Sequence, residues 1–513
     1  MSLDERFFRR KVFSELISEL AAAFYRRREQ RAAADSPLPP VIYPFSPWDT
    51  RCVSSAIRPA MYRGTIGEED LGTLTLSATA ARRRFVGQVV KRSSNQRWYE
   101  DAFGWSLPAA LGETRWSDWA AELVSWEQYW IDWLADEGAQ TPYAQSMARL
   151  GGAKSVVSPR DVHEIGAASD RYIALIYADG NRVGAWMETC RSPEDFRARS
   201  QALDAVTKQA VFQALSAHLE PQRVRRISGR AFIHPFEILT IGGDDILMIV
   251  PAAQALAITH AIAHAFERSR DLVVAGAQPT SAQPRPDRYR GSGDEPVDPP
   301  TAPVFLSAGV VIAREDTPIF FLRDLVEELL KNAKGHARRR QESGSVGGAV
   351  DVLALKSISM VTNNIKEYRR LALGQEQKAP DSATRRLTAR PYTWHELNGL
   401  IQTIKALKQA SVPRSQLYRL REVLEETAGS GVIAGSLEYL YTRSRMRREH
   451  NTALLNAVEL AWQSEASGVA RGSSAPPWLR RTWPGIVDAG WETIWPDLVE
   501  LYDFVAVAPQ EDR

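Results

Sequence analysis

The sequence predicts an α+β protein, and three observations carry that expectation. Between about residues 166 and 370, apolar strand-like runs alternate with amphipathic helical stretches. Two of those runs meet at a Gly-Gly-Asp-Asp turn in "FEILTIGGDDILMIV", residues 236 to 250. The flanking regions, 1 to 165 and 371 to 513, read as mostly helical. At 513 residues the chain has room for roughly three domains of about 150 residues each, and its 44% hydrophobic content supports real cores. A net charge of +2 excludes a whole-protein field that draws the chain onto nucleic acid, although local basic patches remain open. Cys52 and Cys190 are too few for a disulfide framework or a four-cysteine zinc site. No apolar run approaches 18 residues, and the opening "MSLDERFFRRKVFSELISEL" carries acids within an amphipathic pattern rather than a signal core. The expected setting is the reducing cytoplasm, with no membrane partner.

Residues 1 to 165 are rich in Trp and Arg. They contain an opening helix through "FFRRKVFSELISELAAAFYRRR" and a later one through "WSDWAAELVSWEQYWIDWLADEG". Trp126, Trp130 and Trp133 fall at i, i+4 and i+7, a stripe better read as helix core than as a base-stacking platform. The same helix carries Asp118, Glu122, Glu127, Asp132 and Asp136, which would repel phosphates.

The middle region opens with "RYIALIYADGNRVGAWM", residues 171 to 187, an apolar strand that ends in Asp179 and turns through Gly180 into a helix. Next comes the hairpin of residues 236 to 250. Gly and Asp supply the backbone freedom of a tight turn, so this stretch alone fits both a plain turn and a functional tip. "AGAQPTSAQPRPDRYRGSGDEPVDPP", residues 275 to 300, is dense in Pro, Gly, Ser and charge and is expected to be a mobile insertion. "VFLSAGVVIAR", residues 304 to 314, is a further strand. The helix "FFLRDLVEELLKNAKGHARRR" then places Leu322, Leu325, Val326, Leu329 and Leu330 on its buried face, with Lys331 and Lys334 near its end. These lysines fit either a solvated helix end or a phosphate contact. The order strand, helix, hairpin, helix, strand is that of a ferredoxin-like palm. In 371 to 513, "WHELNGLIQTIKALKQA" and "SQLYRLREVLEETAG" show apolar spacings of three and four.

If the strand ending in Asp179 lies beside the hairpin, three carboxylates converge on one sheet edge and repel one another unless a cation sits between them. Hard oxygen ligands of this kind suit Mg²⁺ or Mn²⁺, which complete their shells with water and substrate phosphates. Two such ions are the apparatus of polymerase-type nucleotidyl transfer.

"YADGNRVG", "IGGDDILM", "SAGV" and "LLKNAK", in that order over about 165 to 360, resemble the second palm domain of the Cas10/Cmr2 family, the large subunits of type III CRISPR effector complexes. The segment "PYTWHELNGLIQTIKALKQASVPRSQLYRLREVLEE" is similar to the helical C-terminal domain of the same family. The resemblance implies an enzyme that joins ATP into cyclic oligoadenylate second messengers with two Mg²⁺ or Mn²⁺ ions. It implies Asp179, Asp244 and Asp245 as metal ligands, Gly242 and Gly243 as points of close nucleotide approach, Asn181 and Gly184 beside base and ribose, and Lys334 on the triphosphate. GGDEF diguanylate cyclases share the layout more distantly.

The departures from the family carry their own expectations. There is no His-Asp dipeptide for an HD nuclease and no cysteine set for the family's zinc element, so DNA cleavage is not expected of this chain. The expectation is a shortened or stand-alone member, with a Trp-rich sensing region or a degenerate first palm in 1 to 165. Because the family holds nucleotides between two palms, a homodimer or CRISPR effector subunits are the expected partners. Arg443, Arg445, Arg447 and Arg448 fit either a solvated helix face or an RNA contact. His260 and His264 stand at i, i+4 without a Glu or an obvious third ligand, which is a weak metal signal. Cys190 has no basic partner visible from spacing. Two alternatives stand beside the enzyme: a non-catalytic scaffold binding RNA or subunits, and a GGDEF-like dinucleotide cyclase. The intact carboxylates argue against the first, and Asp where that family has Glu-Phe argues against the second.

Overall fold

A computed structural model of the chain describes residues 20–27, 50–52, 58–64, 74–81, 126–226, 229–269, 304–342, 346–356, 384–426 and 490–507, with positions 83, 272, 365, 369 and 480–481. The expected insertion at 275 to 300 and the Arg443 to Arg448 patch lie outside the described residues. Contacts divide the chain into one unit of Met1–Ser158 with Pro221–Ile233, and a second of Pro159–Glu220 with His234–Arg513.

The second unit is built on a six-stranded sheet. Its first strand, β1 (Tyr172–Asn181), is followed by a short helix α1 (Val183–Glu188) and a long one, α2 (Pro193–His218). The hairpin β2 (Glu237–Gly242) and β3 (Asp245–Pro251) leads into α3 (Ala252–Glu267), and β4 (Phe305–Arg314) into α4 (Ile319–Glu342). Two further strands, β5 (Ala349–Ala354) and β6 (Tyr392–Thr393), complete the spatial order β6-β5-β4-β1-β3-β2. Four consecutive strands, β4-β1-β3-β2, pair antiparallel throughout, the ferredoxin-like arrangement expected from the sequence.

Alternation explains which side chains meet. Ile173 and Leu175 of β1, Ile249 of β3 and Val311 of β4 form one cluster with Leu322, Leu325, Val326 and Leu329 of α4. The intervening Ala174, Ile176 and Ala178 of β1 are buried on the opposite face, where α3 packs. Each of the four α4 side chains is at most marginally exposed and contributes roughly 1.5–3 kcal/mol by burial. Gly309 of β4 lets α4 approach. A Cβ there would stand 2.8 Å from the Leu330 backbone nitrogen and closer still to the Val326 carbonyl oxygen. The Gly of "SAGV" is thus explained by packing.

The sequence reading of an antiparallel palm omits β5, which pairs in parallel with β4 through Val350↔Ala308, α4 forming the crossover. "AVDVLA" is a short run buried on both faces, without the alternation that marks an antiparallel strand. The region after residue 371 contributes α5 (Trp394–Gln409), opened by a Thr393–Glu396 capping box, α6 (Arg414–Glu426) and α7 (Trp495–Leu501). It also contributes strands the helical reading did not contain: β6 on the palm sheet, and Thr384–Arg386, Gly490–Glu492 and Arg480–Arg481, which form a separate three-stranded sheet.

The first unit contains helices Trp126–Ala135 and Pro142–Arg149 and a three-stranded sheet of Val156–Val157, Gly229–Ile233 and Gln222–Arg226. Trp130 is fully buried and meets the Tyr143 ring edge-on at 5.1 Å, with Trp133 stacked at 5.7 Å. The stripe therefore acts as core, as its spacing suggested. Glu127, read as one of the phosphate-repelling acids, is instead buried and hydrogen-bonded to the Ser158 hydroxyl. Asp118 and Glu122 lie outside the described residues.

Candidate active site

The palm brings the three sequence-selected carboxylates to one sheet edge. In β1 the alternation that turns Ile173, Leu175 and Tyr177 toward α4 places Asp179 on that face too. The same holds in β3, where Asp245 precedes Leu247 and Ile249 by two and four positions. Register sets the two side by side, since Ala178 pairs with Ile246. Asp244 sits at the hairpin tip over Gly180. A Cβ on Gly180 would come within 2.7 Å of Asp244 Oδ2, so the glycine makes room for the carboxylate.

The tip itself is a two-residue loop, because Gly242 pairs with Asp245. Gly243 has φ +60, the positive value that such hairpin turns need at their first central position. Helix α2 fixes this loop from behind. Thr207 Oγ1 shares its one proton between the Gly243 carbonyl at 2.5 Å and Leu203 O at 2.8 Å, while Gly243 N donates to Asp204 Oδ1 at 3.4 Å. Lys208 pairs with Asp204 at 2.7 Å. Asp204, Thr207 and Lys208 are site residues that sequence reading missed. Their only sequence signal is a polar i, i+3, i+4 set in an otherwise partly buried helix, and which loop they meet is a tertiary matter.

Electrostatics follow from this crowding. Burial, then the Asp179 charge with which it shares a hydrogen bond, pushes Asp244 up to about 6. Partial desolvation and the same Asp179 charge raise Asp245, with Lys334 pulling the other way. Lys334, on α4, places Nζ 2.6 Å from Asp179 Oδ2 and donates to Gly180 O at 3.2 Å. Lys331 is exposed at the same helix end.

Asn181 donates its amide to Ser307 Oγ at 2.7 Å, and that oxygen also accepts from Ala349 N at 3.2 Å. It thus ties the end of β1 to β4 and β5. Gly184 is exposed on α1, and a Cβ at Gly184, Gly242 or Gly243 would meet nothing within 4 Å. These glycines border open space, and Gly242 and Gly243 do so at the hairpin tip that carries Asp244. His260 and His264 are adjacent on α3, ring centroids 5.9 Å apart, and burial followed by neighbouring histidines pulls His260 down to about 4. They are not part of the acidic edge. Cys190 is buried, and burial raises its thiol further.

Among the described residues, no three His, Cys, Asp or Glu side chains stand so as to hold a metal ion by themselves. The donor chemistry still fits a hard cation. Mg²⁺ in nucleotide sites takes one or two carboxylates and completes its octahedron with water and phosphate oxygens, and Asp179 with Asp244 offers that number in direct contact. The crowding that lifts Asp244 is the charge imbalance a cation would relieve.

An acidic-tipped ferredoxin-like palm is the class that fold and site define. Residues 172–342 match the family described as Cas10/Cmr2, second palm domain, and this segment is a palm of that kind. No curated protein matches the chain. Among solved structures it is similar to the Csm1-Csm4 cassette in complex with cA4, at 14% identity and TM-score 0.33, over 58% of this chain and 37% of that one. It is also similar to Csm1 in T.onnurineus, at 14% identity and TM-score 0.33, over 57% and 34% of the two chains. The chain therefore spans little more than a third of the length of those chains. Among the described residues no helix is long and apolar enough to cross a membrane.

Proposed function

We propose that the chain is a metal-dependent nucleotidyl transferase of the Cas10/Cmr2 type, joining ATP into cyclic oligoadenylates in prokaryotic antiviral defence of the type III CRISPR kind. The observation that carries this reading is the convergence of Asp179, Asp244 and Asp245 with Lys334 at one edge of a palm of that family. Bound Mg²⁺ or Mn²⁺ would polarise the acceptor 3′-hydroxyl and neutralise the pyrophosphate leaving group. Asp179 and Asp244 would hold the cation, with Asp245 beside them. The α2 bonds to Gly243 keep the tip in one position, so the carboxylates need not be reorganised for each turnover. The open space beside Gly184, Gly242 and Gly243 leaves room for the nucleotide, and Lys334 meets its triphosphate. In each step the 3′-hydroxyl gives its proton to solvent, its oxygen forms a bond to the α-phosphorus, the α-phosphorus–bridging-oxygen bond breaks, and pyrophosphate departs.

Within this reading residues 166 to 370 are the transferase, 1 to 165 a sensing region or degenerate first palm, and 371 to 513 the C-terminal domain. Cyclisation needs donor and acceptor held together, which calls for a second palm from a homodimer or a partner subunit. Incubating the purified chain with each nucleoside triphosphate and Mg²⁺ or Mn²⁺, followed by mass spectrometry, tests the proposal. Cyclic adenylates from ATP are expected, with activity per mole rising with protein concentration. Absence of product from every nucleotide at high concentration and with both metals would overturn it.

A further inference from the structure

Lys334 reaches the acidic edge from α4 and makes two contacts there, an ion pair to Asp179 Oδ2 at 2.6 Å and a hydrogen bond to Gly180 O at 3.2 Å. Both side chains are mostly buried, 33% exposed for Lys334 and 27% for Asp179. The ammonium thus occupies an oxygen that a metal ion would need. A divalent cation approaching alone must displace a like charge, while the protein side chains supply too few ligands to close its coordination shell. A triphosphate changes both conditions. It brings the missing oxygen ligands, and it offers the flexible Lys334 stem another anion within reach.

We propose that Lys334 is a displaceable counter-ion: it neutralises Asp179 until nucleotide arrives, then moves to the triphosphate as the metal takes its place. Metal and nucleotide consequently bind as one unit, and neither the metal alone nor the carboxylates alone form the competent site. This rests on the nucleotidyl-transfer reading above and adds an order of assembly to it. Lys334 has two successive partners, so its loss has opposite effects on the two ligands.

The test is a titration of the full chain with Mn²⁺, followed by the electron paramagnetic resonance signal of the free ion, with and without a non-hydrolysable ATP analogue. Wild type is compared with Lys334→Met and Lys334→Gln, two substitutions of similar length that remove the charge. Mn²⁺ alone should bind both variants about fivefold more tightly than wild type, the fold-change expected for removing a competing half-buried ion pair. The gain in Mn²⁺ affinity on adding the analogue should shrink in both. Equal or weaker binding of Mn²⁺ alone by both variants would overturn the counter-ion role. Asp244→Asn separates the two levels. If it binds Mn²⁺ with the analogue as well as wild type does, the metal-site reading itself fails, whatever Lys334 does.

Discussion

Two sets of carboxylates in the same unit are treated in opposite ways. Asp497 on α7 is 1% exposed, and its Oδ2 accepts three hydrogen bonds: Thr388 Oγ1 donates at 3.0 Å, Ala389 N at 2.9 Å and Tyr392 Oη at 2.5 Å, while Oδ1 faces the Arg390 guanidinium at 3.5 Å. Arg390, equally buried, lies against it and pairs with Glu500 at 3.1 Å. Glu500 in turn accepts from Ala354 N of β5 at 3.0 Å, so the network fastens α7 to the palm sheet. At the opposite extreme, Asp244 and Asp245 stand against Asp179 with Lys334 as the nearby cation. A carboxylate used for stability is surrounded by donors. The carboxylates crowded at the palm edge are left with charge to spare.

The sharpest way to break this comparison is to remove one member of each set. Asp244→Ala should reduce product formation by about a thousandfold or more, as expected for a group on which charge stabilisation depends. Its unfolding midpoint should stay level or rise, because like-charge repulsion is relieved. Full activity in this variant, measured by product mass spectrometry, would place the chemistry elsewhere. Asp497→Ala should do the reverse. It takes one anionic partner from the buried Arg390 and strips three donors of their acceptor, a loss of roughly 3–5 kcal/mol of stability by denaturant titration. Asp497→Asn keeps the acceptor for Thr388, Ala389 and Tyr392 and should lose less. A midpoint unmoved in both variants would remove the network from any structural role.

The two regions also differ in how far the sequence disclosed them. The acidic edge was legible because its residues sit at strand ends defined by local pattern: an apolar run closing on Asp179, and a Gly-Gly turn that sets Asp244 and Asp245 at the tip. The period of α4 correctly marked Leu322, Leu325, Val326 and Leu329 as buried, and so set Lys334 near the same edge. The supporting network was invisible. Tyr392 and Asp497 lie 105 positions apart, and nothing in either neighbourhood names the other. Asp204 and Thr207 escaped for the same reason, since their partner is a loop brought to them by the fold. Glu127 shows the limit of charge as a guide, because an acid on a helix reads as solvated until its partner, Ser158, is known.

Glu267 at the end of α3 lies between these extremes and gives the smallest expected effect. Its Oε1 accepts from Gly348 N at 2.8 Å, Leu306 N at 3.2 Å and Trp394 Nε1 at 3.2 Å, joining α3, β4, the approach to β5 and α5 at one atom. Three donors favour the ionised form, yet burial outweighs them and raises the carboxyl from its ordinary 4.5 to about 7. The folded protein therefore holds a proton that the unfolded chain releases at lower pH. Between about 4.5 and 7 the folded state binds more protons, so stability falls as pH rises through that window, by up to roughly 3 kcal/mol. Below the window the contribution is complete, and above it the contribution is lost. Glu267→Gln keeps an acceptor for the same three donors while removing the titration, and should flatten that part of the profile. Denaturant midpoints at pH 5, 6 and 7.5 for both proteins measure the difference. Parallel profiles would mean that the three donors carry the charged form after all, which would move Glu267 into the same class as Asp497.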